Sequence, residues 1–101
     1  YDHCFVLNNH NGKLKKIGSV ESPKTGIKMD IFTDQPGLQL YTGNFLDGSL
    51  ESKDKKLYEK YSGFCLETQH FPNSPNQKEY PSVTLNKGEV YETETIYKFS
   101  F

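Results

Sequence analysis

The stretch Ile27-Lys28-Met29-Asp30-Ile31 sets an apolar side chain at every second position, and that spacing decides the fold class. A period of two belongs to a β-strand that rests one face on a core and turns the other to solvent. Leu38-Gln39-Leu40-Tyr41, Phe64-Cys65-Leu66-Glu67 and the long run from Val90 to Phe99 repeat it, and Tyr1-Asp2-His3-Cys4-Phe5-Val6-Leu7 also reads as strand. Turn formers stand between the runs: Asn11-Gly12, Pro23 to Gly26, Gln35-Pro36-Gly37, Asp47-Gly48, Pro72 to Pro75 and Asn86-Lys87-Gly88. Asn-Gly and Asp-Gly admit positive φ at low cost, and X-Pro steps interrupt strands. Strands separated in this way predict an all-β protein, an antiparallel sandwich or barrel. The one helical candidate is Lys53 to Tyr61, where Leu57, Tyr58 and Tyr61 could share a face; a polar loop fits the same residues equally well. No internal repeat, low-complexity segment or domain boundary breaks residues 1–101.

Composition narrows the partners. The 12 basic and 13 acidic residues are spread along the chain and leave a formal net charge of -1, so there is no basic footprint for nucleic acid or an anionic membrane. Every basic residue is a lysine. The absence of arginine removes the side chain best shaped for bidentate phosphate recognition. Cys4 and Cys65 lie far apart inside apolar runs, which predicts buried packing thiols and neither a disulfide framework nor a metal site. There is no run of apolar residues long enough to cross a membrane as a helix and no basic-then-apolar leader, so the expectation is a soluble, cytoplasmic protein. The chain opens without Met on a strand already under way, and is expected to be a fragment of something larger.

Strand parity sorts the polar residues. If Leu38 and Leu40 point into the core, Gln39 and Tyr41 point the other way; if Phe64 and Leu66 point in, then Cys65, Glu67 and Gln69 point out. An amide, a phenol and a carboxylate on one sheet face suit a sugar, whose hydroxyls want planar hydrogen-bonding partners and whose C–H face wants an aromatic surface. On parity alone, the same residues also fit a solvated sheet surface.

Three segments, in order, resemble those of the aldose 1-epimerase (galactose mutarotase) family. Tyr1-Asp2-His3 is similar to the start of that family's Asp-bearing strand. Pro36-Gly37-Leu38-Gln39-Leu40-Tyr41-Thr42-Gly43-Asn44-Phe45-Leu46 resembles its P-G-x-Q-x-Y-T-x-N-x-L segment, and Ser62-Gly63-Phe64-Cys65-Leu66-Glu67-Thr68-Gln69 its S-G-F-x-L-E-x-Q segment. Phe71-Pro72-Asn73, Asn76-Gln77, Tyr80-Pro81-Ser82 and Leu85 to Gly88 before Tyr91 extend the likeness over essentially the whole chain.

The resemblance implies a fold, an activity and a set of roles. The fold is a galactose mutarotase-like antiparallel β-sandwich, with residues 1–101 as the carboxyl-terminal part of one such domain and the rest of the sandwich upstream. The activity is interconversion of the α and β anomers of free hexoses such as galactose and glucose. Glu67 is the implied general base, Asp2 and Gln39 bind sugar hydroxyls, and no metal or other cofactor takes part. His3 belongs to the first motif but is read as a hydrogen-bonded scaffold residue, and Cys65 as a packing thiol. The aromatic series Tyr91, Tyr97 and Phe99, all of one parity, is read as sheet packing. In the family a histidine general acid and an Asn-Arg pair precede these motifs, and neither His10 nor His70 stands in that context, so the isolated chain is expected to be inactive. A hexose-6-phosphate 1-epimerase is the alternative within the same chemistry, although the lack of arginine argues against it. A non-catalytic sugar-binding or regulatory relative is the alternative outside it.

Overall fold

A computed structural model describes all 101 residues. Six strands form two antiparallel three-stranded sheets: β1 (Asp2–Val6), β4 (Gly37–Tyr41) and β5 (Cys65–Gln69) in that order, and β2 (Lys15–Glu21), β3 (Lys28–Thr33) and β6 (Thr95–Ser100) in that order. There is no α-helix. A single 3₁₀ turn, Ser74–Asn76, follows β5. Lys53 to Tyr61 takes the loop alternative: an isolated bridge joins Glu51 to Leu57, and Lys55 and Tyr61 adopt left-handed backbone angles that no helix accommodates.

Alternation holds where it was strongest. Met29, Ile31 and Thr33 of β3 lie opposite Phe99, Tyr97 and Thr95 of β6, so one face of that sheet is apolar and turned inward. Lys16, Lys28 and Ser19 gather around Asp30 on the other face. There the hydrogen-bonded Lys16 ammonium, followed by Ser19, holds the Asp30 carboxyl below its ordinary value. The two inward faces meet through side chains: the Tyr97 hydroxyl donates to the Leu66 carbonyl at 2.6 Å, and Thr95 bonds both Thr68 (2.6 Å) and Thr33 (3.1 Å). The chain crosses from one sheet to the other through Asp34-Gln35-Pro36. Gln35 is buried there and bonds His70 Nδ1 at 2.8 Å and the Thr93 hydroxyl, pinning both ends of the crossover.

One expected element differs, and one strand, β2, is additional to those expected. Strand structure begins at Thr95 and not at Val90, which leaves Tyr91 outside the sheet, hydrogen-bonded to Gln35; of the aromatic series only Tyr97 and Phe99 pack in it. β2 has no clean period of two, because a bulge between Lys16 and Gly18 shifts its register against β3.

The core is small. Ile31 and Pro36 are the buried apolar side chains, whereas Val6, Phe45 and Val90 are 70%, 74% and 79% exposed. The accessible surface is 7956 Å² for 11.6 kDa. A closed monomer of that mass exposes about 5,800 Å². The radius of gyration is 16.5 Å, against about 13 Å for a compact domain of this length.

Candidate functional site

β4 lies between β1 and β5 and fixes which side chains share a face. Its register pairs Gln39 with Cys4 on one side and Glu67 on the other; the neighbouring rungs are Asp2, Tyr41 and Cys65, and Val6, Gly37 and Gln69. Side chains directly opposite on one face sit about 5 Å apart. Asp2, Gln39, Tyr41, Glu67 and Gln69 therefore converge, and with Phe45 and Pro72 they line an open groove of about 450 Å³. Gly37 makes the close approach at one end, where an added Cβ would lie 3.0 Å from both Cys4 Sγ and the Phe71 ring.

Within the groove Gln39 Nε2 donates to Asp2 Oδ1 at 2.6 Å, which orients the amide so that its carbonyl oxygen stays free to accept. Glu67 is exposed beside it. Two carboxylates flanking an amide form a hydrogen-bond-accepting row suited to a polyhydroxylated ligand. The Tyr41 and Phe45 rings stack 6.2 Å apart at 15°, and the Phe45 amide donates to the Tyr41 hydroxyl at 3.2 Å, so the loop after β4 holds an aromatic wall against the polar row. No three of the His, Cys, Asp and Glu side chains cluster closely enough to hold a metal ion.

The structure brings together Asp2, Gln39 and Glu67, the three residues singled out from the sequence. Phe45 and Pro72 are additions that parity could not supply, because they sit on loops whose return toward the sheet is a tertiary matter. His3 pairs with Leu40 and so projects from the opposite face to Glu67, with its Nδ1 accepting the Asp2 amide at 3.3 Å. His70 is bonded to Gln35 away from the groove. Neither cysteine is fully buried: Cys4 is half-buried and Cys65 exposed, because parity turns both onto the polar face and away from the core.

Comparison with known proteins agrees over the whole length. The sequence profile described as aldose 1-epimerase matches residues 1–98. Galactose mutarotase of Rattus norvegicus and that of Homo sapiens are each 45% identical over 100 residues, covering 99% of this chain and 29% of theirs. The aldose 1-epimerase of Escherichia coli (strain K12) is 36% identical over 101 residues, again 29% of its length. The chain thus spans under a third of the curated relatives it matches. A profile match across residues 1–98, on two antiparallel sheets, shows that the chain belongs to the aldose 1-epimerase family.

Proposed function

We propose that the intact protein is a mutarotase acting on free hexoses such as galactose and glucose, with Glu67 as general base and Asp2 and Gln39 holding sugar hydroxyls. The observation that carries this reading is the row of Asp2, Gln39 and Glu67 on one open sheet face beside an aromatic wall. Mutarotation opens a hemiacetal. The Glu67 carboxylate takes the proton of the anomeric hydroxyl as an acid protonates the ring oxygen, C1–O5 breaks, C1–C2 rotates in the open aldehyde, and the ring closes on the other face. A carboxylate is a weak base at neutrality, so this step calls for a site that keeps bulk water from the sugar. Asp2 and Gln39 fix the ring so that the anomeric hydroxyl lies over Glu67.

In this reading the acid comes from outside residues 1–101, since none of His3, His10 and His70 lines the groove. These residues form the carboxyl-terminal part of one sandwich and act in the cytoplasm. No helix is long and apolar enough to cross a membrane, and two unpaired thiols suit a reducing compartment. A hexose phosphate fits less well, because the groove presents two carboxylates and no cation to a phosphate dianion.

Polarimetry of freshly dissolved α-galactose with the intact protein tests the proposal. Wild type should outrun the spontaneous change in rotation, and Glu67→Gln should lose about 10²–10⁴-fold in rate while still binding sugar. Undiminished activity of the variant would sink the base assignment; a wild type no faster than the spontaneous rate would sink the mutarotase reading.

A further inference from the structure

Two turns of the chain share one local build. In Asn11-Gly12-Lys13 the Lys13 N–H donates to Asn11 Oδ1 at 3.2 Å, and in Asp47-Gly48-Ser49 the Ser49 N–H donates to Asp47 Oδ1 at 2.9 Å. Both glycines have positive φ, +69° at Gly12 and +80° at Gly48. A bond from the residue two positions on folds the side chain forward, so that its carbonyl carbon comes beside the glycine nitrogen. The turns differ in what that nitrogen does. Gly48 N–H donates to the Tyr58 carbonyl at 3.0 Å, whereas Gly12 N–H donates to nothing. Asn11, Gly12 and Lys13 are all exposed, in the turn between β1 and β2, and nothing stands within 4 Å of the place a Cβ on Gly12 would take.

A free backbone nitrogen beside a side-chain amide carbon is a reacting pair. We propose that Asn11 is a self-modification site, converting spontaneously to aspartate and isoaspartate through a succinimide closed by Gly12 N. Gly12 N gives its proton to solvent and bonds to Asn11 Cγ, while negative charge gathers on Oδ1, where the Lys13 N–H already donates. The Cγ–Nδ2 bond breaks, and the leaving nitrogen takes a proton from solvent and departs as ammonia. Water then opens the ring at either carbonyl: at the side-chain carbonyl it leaves aspartate, and at the backbone carbonyl it leaves isoaspartate, whose chain runs through Cγ. One water is consumed, one ammonia is released, and nothing is oxidised or reduced. Asparagine is thermolabile in general, but no other asparagine of the chain combines these features. The nitrogens following Asn44, Asn73 and Asn76 are held by the Tyr41 hydroxyl, the Phe71 carbonyl and the Ser74 carbonyl. The Asn86 amide is bound to the Glu89 carboxylate, and Asn8 and Asn9 are followed by residues whose Cβ obstructs the approach. The inference goes beyond the reaction proposed above and stands whether or not that reaction is right.

Incubation of the intact protein in mildly alkaline buffer, followed by proteolysis and mass spectrometry, reads the site. The peptide bearing Asn11 should gain one mass unit and separate into aspartyl and isoaspartyl forms before any other asparagine changes, and ion exchange should show the same fraction as a more acidic variant. Asn11→Gln should lose that variant, because glutamine would have to close a larger ring. Gly12→Ala should slow its appearance, because a Cβ then hinders the nitrogen. Earlier conversion of another asparagine, or persistence of the acidic variant in Asn11→Gln, overturns the proposal. So does an Asn11 that converts in the denatured chain and stays unchanged in the native one, because the turn then shields it. Isoaspartate forming at Asp47 as fast as at Asn11 overturns it as well, since the bond on the glycine nitrogen then decides nothing.

Discussion

Gly43 lies two residues beyond β4 in the loop that brings Phe45 back onto Tyr41, and its replacement by alanine separates two constraints on that turn. The residue adopts φ +67°, and an added Cβ would lie 2.8 Å from the Gly63 carbonyl oxygen and 3.3 Å from Leu46 Cδ1. A left-handed conformation costs a non-glycine residue about 1–2 kcal/mol. The contact adds to that, because the obstructing atom is backbone and the Gly43 carbonyl is held by Leu46 N (3.2 Å) and Tyr61 N (3.1 Å), which prevents retreat. Overpacking of this kind costs roughly 1–3 kcal/mol. Gly43→Ala should thus destabilise the intact protein by about 2–5 kcal/mol. Two controls isolate the terms. Gly12 has φ +69° and open space around its missing Cβ, so Gly12→Ala should show the conformational part alone, about 1–2 kcal/mol. Gly63 has neither positive φ nor a neighbour within 4 Å, so alanine there should change stability by no more than about 0.5 kcal/mol. Denaturant titration with unchanged m-values gives all three numbers. Equal losses for Gly43→Ala and Gly12→Ala would show that the close approach to Gly63 does not constrain the turn.

The crossover makes a pH prediction. Burial pushes the Asp34 carboxyl up, but donation from the Thr93 hydroxyl (2.7 Å), the Glu94 amide (2.9 Å) and Gln35 outweighs it and leaves the group below its ordinary 3.8. A depressed carboxyl stabilises the folded state fully above its unfolded value and loses that contribution as pH falls through the folded one. Asp34→Asn should therefore be less stable than wild type at neutral pH, with the gap closing below about pH 4; a gap independent of pH would remove the ionised Asp34 from the account. The sheets are also joined by the Tyr97 hydroxyl, and Tyr97→Phe should lower stability by about 1 kcal/mol in thermal or denaturant unfolding, with no loss meaning that water replaces the bond fully.

Much was legible in the chain itself. The alternation of Ile27 to Ile31 and Leu38 to Tyr41 sets strand and face together, because a period of two leaves no freedom in which side chains share a side. The same parity put Gln39, Tyr41 and Glu67 on one face before any strand pairing was known. Signals failed where local pattern is silent about neighbours. The bulge at Lys16 and Gly18 erases the period of β2, and the residues from Val90 to Glu94 alternate like a strand yet find no strand partner here. Lys53 to Tyr61 shows apolar spacing compatible with a helical face, but its left-handed residues and cross-loop bridge prevail. Only tertiary structure decided that Asp2, 65 positions from Glu67 in the sequence, reaches the same groove: register across β4 is a property of three strands at once. It also decided that Phe45 and Pro72 line that groove, and that a bulge breaks the register of β2 while β1 runs against β4 without a break.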